Sequence, residues 1–515
     1  MPDMKILFLS AEVAPFVCVG GLSQVMYFLP RALKKRGHDV RIFTPLYGVS
    51  KGLEENSLTL DIEQLEVEVS EKKDDGFLIC NVKYRSSDAK NAGVYFLENR
   101  EYYELRANVF GYTDDHKRFA LLSKACIKWL LHEKEKGNKG WWPDVIHCHD
   151  WHTSYFIDLV KKTERYSKIF AKTPVLLTVH NFKYQGNWDF KFMPQEEQDD
   201  GLSPLASLTS PELQKQNALK RGLLFADAIT TVSPTHTLEI LTPEYAEGLS
   251  ETLQAVRGKL SGILNGIDTK EFNPEIDPLI KKQFSKKTFI KNRPVNKADL
   301  QREFSLPIKS SIPLLAYVGR LASQKGLNLL IDVLPHLLEE EEQLQFVLLG
   351  GGDEVYKTAL IQLREAFPDQ VGLHLVPDFR LPRKIFAGAD LVLMPSLFEP
   401  GGIVALEALR YGAVPLVRKT GGLEDIVSDF DLVTGKGNGF SFSQKTPWAL
   451  YGAIVKALTV YKQKGLWLKL VANCLSRDFS WDQSAKEYED WYLGSLKKRT
   501  KIFLPASLFR SLIKK

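Results

Sequence analysis

The sequence predicts an α/β protein made of two doubly wound, Rossmann-like domains. Short apolar segments with the length of buried strands alternate with helical patterns along nearly the whole chain. A strand, a Gly-Gly turn and a helix start follow one another in each half, at Gly20-Gly21 and at Gly401-Gly402. Several of these strands end in polar residues or glycine, and ligands of parallel α/β sheets bind at the carboxyl ends of the strands.

The predicted strands form two sets, one in each half of the chain. The first set comprises Lys5–Glu12, Val40–Pro45, Val94–Glu98, Asp144–Asp150, Val175–Asn181 and Ala228–Ser233. The second set comprises Leu314–Arg320, Phe346–Gly352, Leu373–Pro377, Leu391–Ser396 and Val414–Gly422. Short continuous apolar runs are typical of parallel strands that are covered on both faces. The segment Leu65–Tyr84 instead indicates an antiparallel pair, with turn residues at 74–76.

The composition is that of a soluble globular protein with two or three domains. The 515 residues are 44% hydrophobic and 25% charged, and a net charge of +5 gives no case for nucleic acid binding. The five cysteines are scattered without a CxxC pair, which favours a reducing compartment. No apolar run reaches the ~20 residues of a membrane span, and Met1–Glu12 lacks the order of a signal peptide. We therefore expect a cytoplasmic protein.

The most informative motif follows the predicted strand Leu391–Met394. Glu399 comes next, then Gly401 and Gly402, and then an apolar helical pattern. The exposed N–H groups and the positive dipole end of such a helix suit a phosphate. Glu407 lies eight residues after Glu399, about two helical turns on. The alternative is an ordinary strand–helix turn with a surface glutamate.

Two cations follow the predicted strand at 314–318. Arg320 and Lys325 would neutralise a diphosphate by charge-assisted hydrogen bonds. In the other half of the chain, Gly20 and Gly21 open a helical pattern directly after the first strand. The ordered set indicates two similar domains that face one nucleotide sugar.

Residues 147–152 read HCHDWH and place three histidines and Asp150 at a strand end. Their order differs from that of binuclear metallohydrolases, and no downstream His or Cys cluster completes a metal site. We therefore predict no metal. Asp150 is expected to line a polar cleft, where it accepts hydrogen bonds from sugar hydroxyls, or to cap the next helix.

The next predicted strand ends at His180 and Asn181, with Tyr184 and Gln185 beyond. Their place at a strand's carboxyl end favours a role facing a sugar, and the alternative is a buried structural histidine. Asn265 stands in the tight Asn-Gly turn of LNGID, where a ligand role and a structural hinge are both open.

These motifs, in this order, resemble those of the bacterial glycogen synthase and plant starch synthase family. The matching segments are AEVAPF, VGGL, HCHDWHT, VHNFKYQG, TTVSPT, LNGID, GRLASQKGL, FEPGG and KTGGL, which run from about Lys5 to Trp491. The resemblance implies a GT-B fold, in which two Rossmann-like domains face a deep cleft. It also implies transfer of glucose from ADP-glucose to the non-reducing end of an α-1,4-glucan with retention of configuration. No metal or other cofactor is implied.

The resemblance also implies a domain plan and a set of site residues. The domains would be an acceptor-side domain at 1–257, joined by a C-terminal helix at about 480–496, a nucleotide-sugar domain at 262–479 and a basic tail at 497–515. The implied catalytic residues are His180 beside the anomeric carbon, Arg320 and Lys325 on the diphosphate, and Glu399 on the glucose hydroxyls. The implied substrate-binding residues are Gly20, Gly21, Asp150, Asn181, Tyr184, Gln185, Asn265, Gly401, Gly402 and Glu407.

Four positions depart from the family pattern. Cys18 stands where lysine is common, Gln24 where aspartate is usual, and Gly401 where cysteine is usual. Pro377 stands where an aromatic residue would stack on adenine. These departures leave two alternatives open: a related retaining glycosyltransferase with another nucleotide sugar or a small acceptor, and a noncatalytic glucan-binding homologue. The expected partners are a nucleotide-sugar donor and an α-glucan, with no nucleic acid.

Overall fold

The computed structural model describes residues 3–53, 57–70, 76–186, 193–194, 197–341, 343–378 and 380–503, and the chain forms two compact units. The first unit comprises Met1–Val232, Thr237–Ile263 and Ser484–Lys515, and the second comprises Ser233–His236 and Leu264–Gln483. Residues 504–515 of the predicted basic tail lie outside the described residues.

The first unit is built on a nine-stranded sheet. Its strands are β1 Lys5–Leu9, β2 Asp39–Pro45, β3 Thr59–Glu68, β4 Phe77–Arg85, β5 Gly93–Glu98, β6 Val145–His149, β7 Val175–Val179, β8 Ala228–Thr231 and β9 Leu260–Gly262. They lie in the order β3-β4-β5-β2-β1-β6-β7-β8-β9, and the ladder from β5 to β9 is parallel. β4 is antiparallel to both β3 and β5, which confirms the predicted antiparallel pair. Turn residues 74 and 75 lie outside the described residues.

The helices associated with the first unit connect and cover these strands. They are α1 Gly21–Lys35, α2 Asp115–Glu135, α3 Ser154–Lys162, α4 Glu164–Ile169, α5 Glu212–Lys215, α6 Ala218–Phe225, α7 Pro234–Glu239, α8 Ser250–Val256 and, numbered after the helices of the second unit, α17 Trp481–Phe503. α7 and α17 each begin in the second unit and end in the first.

The second unit is built on a six-stranded parallel sheet. Its strands are β10 Leu314–Val318, β11 Gln345–Leu349, β12 Val371–His374, β13 Leu391–Met394, β14 Val414–Arg418 and β15 Phe440–Phe442. Its helices are α9 Phe289–Glu303, α10 Leu327–Glu340, α11 Glu354–Ala366, α12 Leu381–Gly388, α13 Ile403–Arg410, α14 Gly421–Ile426, α15 Pro447–Tyr461 and α16 Lys464–Cys474. The strands lie in the order β12-β11-β10-β13-β14-β15.

Both sheets contain the strand order of a Rossmann fold. When the intervening strands β3 and β4 are left out of the count, β5-β2-β1-β6-β7-β8 follows the order 3-2-1-4-5-6, and β12-β11-β10-β13-β14-β15 follows the same order counted from β10. The central strands β6, β7, β13 and β14 are buried along their whole length, which explains their short apolar runs. The predicted class, α/β with two Rossmann-like domains, is confirmed. No helix among the described residues has the length and apolar character needed to cross a lipid bilayer.

The C-terminal helix α17 packs on the first unit through polar contacts that are buried. Tyr492 lies on α17, and its hydroxyl is 2.8 Å from Nδ1 of His147 in β6. Glu489, one turn earlier, accepts a hydrogen bond from Nε of Arg36 at 2.8 Å and lies 3.1 Å from Nε2 of the buried His38. Burial tends to raise the pKa of Glu489, but Arg36 and His38 hold it below its usual value. These contacts fix α17 against β6 and against the segment that precedes β2.

Replacement of Glu489 by alanine should destabilise the first unit. The carboxylate is 2% exposed, and its removal leaves His38 and Arg36 without their partner. Loss of one side of a buried charged contact should lower the free energy of unfolding by about 2 kcal/mol. Thermal unfolding of Glu489→Ala measures this effect, and Asp490→Ala, which removes the adjacent exposed carboxylate, is the control. Equal melting temperatures for both variants would show that α17 is held without this contact.

Candidate active site

The candidate residues lie where the strand order of each sheet reverses. In the first unit the reversal falls between β1 and β6, and in the second it falls between β10 and β13. In open α/β sheets a crevice forms outside the carboxyl ends of the two strands at such a point, and ligands bind there. Gly20 and Asp150 follow β1 and β6, whereas Lys325 and Glu399 follow β10 and β13. Each unit therefore presents its own group of candidate residues.

The Gly20-Gly21 turn in the first unit is held by a buried carboxylate. Helix α1 begins at Gly21, and the preceding Gly20 has an extended backbone and no side chain that could cap the helix. Oε2 of Glu12 accepts hydrogen bonds from the backbone N–H of Val19 at 2.7 Å and of Gly20 at 3.2 Å. A Cβ atom on Gly20 would meet only Oε1 of Glu12, at an ordinary 3.6 Å. The protein itself thus leaves space in front of this glycine, as the close approach of a ligand requires.

Asp150 is a strained residue at the carboxyl end of β6. Its φ of 57° and ψ of −175° lie in a region that is almost confined to glycine and costs about 1–3 kcal/mol for other residues. Oδ1 of Asp150 accepts a hydrogen bond from the backbone N–H of His180 at 2.7 Å. Burial raises the pKa of Asp150 to about 7, although the N–H groups of His180 and Asn181 lower it. The strained backbone directs the side chain of Asp150 towards the loop after β7. At neutral pH this carboxyl group is only partly ionised.

His180 belongs to a row of neutral imidazoles. Nε2 of His180 lies 3.0 Å from Nδ1 of His149, and their rings are nearly parallel with centroids 5.3 Å apart. His147 continues the row at a centroid distance of 4.1 Å from His149. Burial lowers the pKa of His180 to about 4 and the pKa values of His147 and His149 well below their usual range. His180 is therefore uncharged at neutral pH and acts as a dipole with one N–H donor rather than as a cation.

The loop after β7 carries three other predicted residues, of which Asn181 and Tyr184 lie at its surface and Gln185 is buried. Asn181 accepts the N–H of Lys183 at 3.0 Å, and Tyr184 is 55% exposed, so both lie at the surface of the loop. Gln185 is buried, and its amide is satisfied within the unit. Its Nε2 donates to the carbonyls of Phe182 and Glu247, and its Oε1 accepts from Nδ2 of Asn217 at 2.8 Å. Gln185 shapes the loop through these bonds.

In the second unit, Lys325 and Glu399 form an ion pair across the reversal of strand order. Nζ of Lys325 lies 2.5 Å from Oε2 of Glu399, and both side chains are about four-fifths buried, at 21% and 18% exposure. The same Oε2 accepts from Oγ of Ser396 at 3.1 Å. Arg320 is exposed, and no ion pair links its guanidinium to another described residue. The site combines one paired cation with one cation that is available for an anion.

Close backbone contacts join the loops that carry this ion pair. The N–H of Leu397 donates to the carbonyl of Gln324 at 2.9 Å, which links the loop after β13 to the loop after β10. Gly326 has a φ of +69°, and a Cβ atom there would lie 2.0 Å from the carbonyl oxygen of Pro395. Only glycine allows this approach. Arg418, at the end of β14, donates to the carbonyls of Ser396 and Leu397, both at 2.7 Å, and holds the loop from beneath.

Gly401 and Gly402 lie against a second Gly-Gly turn. Gly402 precedes α13 with a φ of +65°. The N–H of Gly422 donates to the carbonyl of Glu399 at 3.1 Å, and a Cβ atom on Gly422 would lie 2.5 Å from the carbonyl oxygen of Gly401. The turn at Gly421 and Gly422 thus packs closely against the loop that carries Glu399. Its contact fixes the backbone on both sides of Glu399.

Glu407 and Asn265 lie in surroundings of their own. Glu407, on α13, is close to Arg383 and Glu271, and Arg383 in turn pairs with Glu271 at 3.0 Å. Asn265 is 4% exposed, and its Oδ1 has no hydrogen-bond partner among the described residues. The next residue, Gly266, is so close to the backbone of Trp481 that a Cβ atom would lie 2.6 Å from it. Asn265 thus combines a packed turn with an acceptor that remains available.

The histidines of HCHDWH do not form a metal site in the part of the chain that the structure describes. No group of three His, Cys, Asp or Glu side chains with suitable geometry is present there. His147 is engaged by Tyr492 and Thr178, and His152 packs among Phe110, Phe119 and Trp151. The absence of a metal cofactor stays a prediction.

Glu12, His149 and Arg418 are site residues that sequence reasoning missed. Glu12 stands at the end of the predicted first strand, where a single carboxylate after an apolar run was the available signal. The sequence predicts His149 only as one of the histidines of HCHDWH that line a polar cleft, without its contact to His180, and Arg418 lies inside the predicted strand Val414–Gly422. Each acts through a contact with another loop, which the local sequence pattern does not specify.

Glu407→Gln should change how the stability of the second unit depends on pH. Burial raises the pKa of Glu407 from 4.5 to about 7, although Arg383 opposes the rise. The folded protein binds the proton of Glu407 more tightly than the unfolded chain does. The stabilisation from this protonated carboxyl is therefore complete below pH 4.5 and is lost as the pH rises through 7. The unfolding free energy of the wild type should therefore fall by roughly 2–3 kcal/mol relative to the variant over this range. Chemical denaturation at both ends of the range measures it, and the exposed Glu424→Gln is the control. A difference that does not vary with pH would contradict this assignment.

Comparisons with known proteins identify the family. The family model of the starch synthase catalytic domain matches residues 5–255, and that of group 1 glycosyl transferases matches residues 300–464. Glycogen synthases of Lactobacillus acidophilus and Geotalea daltonii are 37% and 39% identical to this chain, and each match covers 96% of this chain and 100% of the relative.

Solved structures give the same result. The catalytic domain of starch synthase IV from Arabidopsis thaliana, solved with ADP and acarbose bound, is 32% identical with a TM-score of 0.80, and the match covers 96% of this chain and 100% of that one. Sucrose-phosphate synthase from Thermosynechococcus elongatus, at 18% identity and a TM-score of 0.55, shares the fold. The resemblance predicted from the motifs is confirmed: the chain belongs to the family of bacterial glycogen synthases and plant starch synthases and is a glycosyltransferase.

Proposed function

We propose that this protein transfers glucose from ADP-glucose to the non-reducing end of an α-1,4-glucan with retention of configuration. The observation that carries the proposal is the Lys325–Glu399 pair beside Arg320 at the strand reversal of the second unit. The curated relatives are glycogen synthases, and starch synthase IV was solved with ADP, which supports ADP as the nucleotide of the donor. The grouping of both units' residues about one donor stays a prediction from the sequence.

The cations of the second unit would stabilise the departing nucleoside diphosphate. Negative charge grows on the diphosphate as the glycosidic bond breaks, and fixed cations act most strongly where charge develops. Arg320 is available for the phosphates, and Lys325 would bridge them and Glu399. Oε2 of Glu399 already takes the bonds from Lys325 and Ser396, so its Oε1 is the atom that would accept a glucose hydroxyl.

The first unit would contribute groups of low charge near the sugar. With a pKa near 4, His180 is neutral at pH 7 and would present a hydrogen bond without repelling a positively polarised anomeric carbon. Asp150, with a pKa near 7, can accept a bond from a hydroxyl or hold a proton. In retention by same-face attack no carboxylate needs to act as a covalent nucleophile, so the carboxylate spacing of glycosidases does not apply.

The identity of the donor is the part of the proposal for which the structure favours a second candidate. Cys18 and Gln24 are exposed, and neither supplies the charge usual in the family. Pro377 is exposed beside Gly351, where a Cβ atom would lie 3.0 Å from its Cδ, so no aromatic platform stands at this position. These observations favour, as second candidate, a retaining transferase that uses another nucleotide sugar. The cytoplasmic location also stays a prediction.

A donor panel tests the proposed function. Purified protein is incubated with ADP-glucose, UDP-glucose or GDP-mannose, with and without glycogen, and nucleotide release is measured. We expect release from ADP-glucose that depends on glycogen and persists after EDTA treatment, because the cations are supplied by Arg320 and Lys325. Release from another nucleotide sugar alone would replace this proposal with the second candidate. No release from any donor would favour the noncatalytic homologue.

Arg320→Ala and Lys325→Ala should each lower turnover by roughly 10²–10³-fold, the effect of removing one transition-state contact. The fold should persist, because Arg320 is exposed and the loops around Lys325 are joined by backbone contacts. Steady-state kinetics gives the change, and thermal unfolding verifies the fold. Lys357→Ala, which removes a lysine of the same unit that pairs only locally with Glu354, is the matched control. Turnover near that of the control would remove the tested residue from the mechanism.

A further inference from the structure

Glu12 is a buried carboxylate that has no role in the mechanism proposed above for Arg320, Lys325 and Glu399. It follows β1 at the strand reversal of the first unit and is 3% exposed. Its own backbone is fixed by Ser10, because Oγ of Ser10 donates to the Glu12 carbonyl at 2.9 Å. The side chain crosses to the turn before α1 and accepts the N–H groups of Val19 and Gly20.

These contacts hold the residues that lead into α1, and a further backbone hydrogen bond from Ser23 lets Glu12 cap the first turn of the helix. The residue before the helix is Gly20, which has no capping side chain, and the first turn of α1 contains no acidic residue. A cap satisfies backbone donors that the helix leaves open, and a carboxylate also interacts favourably with the positive end of the helix dipole. Since Glu12 engages the N–H groups of Val19 and Gly20, the N–H of Gly21 is the first donor of the turn that remains for a ligand.

We propose that Glu12 is a positioning residue that holds the Gly20-Gly21 turn in the shape that binds the nucleotide-sugar donor. The proposal rests on the proposed function and names the residue through which its glycine turn would act. Glu12 contacts the turn itself, so its loss should affect donor binding more than acceptor binding. The two glycines of the turn have no side chains that could pack and hold it. The hydrogen bonds from Glu12 must therefore supply its rigidity.

The charges around Glu12 make this cap sensitive to pH. The groups that face it are Asp150 from the loop after β6, Tyr47 from the loop after β2 and Cys18 from its own loop. Burial raises the pKa of Glu12 to about 7, the N–H groups of Val19 and Gly20 lower it, and Asp150 adds to the rise. Above pH 7 the ionised carboxylate accepts strong charge-assisted bonds, and below pH 7 the protonated group accepts weaker ones. Donor binding should therefore weaken as the pH falls below 7.

Glu12→Gln tests the proposal, because glutamine keeps the shape and one acceptor oxygen but removes the charge. The matched control is Glu133→Gln: Glu133 is 6% exposed, belongs to the same unit and accepts the backbone N–H of Trp141 at 2.9 Å, with no contact to the candidate site. The readouts are ADP affinity by calorimetry, the KM values for donor and glucan, the pH profile, and hydrogen exchange at the amides of Val19 and Gly20.

For Glu12→Gln we expect faster exchange at both amides, a five- to thirtyfold loss of ADP affinity and a matching rise in donor KM, with glucan KM unchanged. The fall in donor binding below pH 7 should be absent in the variant, because glutamine has no titrating proton at this position. Unchanged exchange, faster exchange without a change in ADP affinity, or an equal effect in Glu133→Gln would each overturn the proposal. A wild type that binds ADP but releases no nucleotide from any donor would instead overturn the proposed function. In that case the ADP affinities of the wild type and Glu12→Gln would still decide the role of Glu12.

Discussion

The reversal of strand order in each sheet is the constraint on which the candidate site depends. Strands on the two sides of a reversal send their connections to opposite faces, so a crevice opens at their carboxyl ends. Residues that are far apart in the chain meet there. Lys325 after β10 contacts Glu399 after β13, and Glu12 after β1 lies near Asp150 after β6. The same topological feature therefore creates a cationic group in one unit and a group of low charge in the other.

Glycine allows the loops that carry the cationic group of the second unit to pack closely and rigidly. A Cβ atom on Gly326 or Gly422 would lie 2.0 or 2.5 Å from a carbonyl oxygen of a neighbouring loop, so the loops around Glu399 share backbone contacts that no other residue permits. Arg418 adds two hydrogen bonds from below. Electrostatic stabilisation is most effective when the charged groups need not reorganise during the reaction. The packing of these loops is thus part of the chemistry that we propose for Lys325 and Glu399.

The strands and glycine turns of the site could be predicted because both leave local signals in the sequence. Apolar runs such as Leu391–Met394 indicate buried strands, and the observed strand has these bounds. Glu12 left no such signal, since its role depends on a turn seven and eight residues later whose path is not helical. The amide of Gln185 is likewise satisfied by Asn217 and Glu247, which are distant in sequence. Contacts of this kind depend on the tertiary structure, and one-dimensional patterns do not specify them.

The most direct test of the account is the structure of the product. ADP-glucose labelled with ¹³C at C1 is incubated with the wild-type protein and a maltooligosaccharide, and the new linkage is examined by NMR. The label should appear at an α-1,4-linked residue at the non-reducing end, in an amount equal to the ADP released. Label in a β-linkage, or ADP release without extension of the glucan, would contradict it.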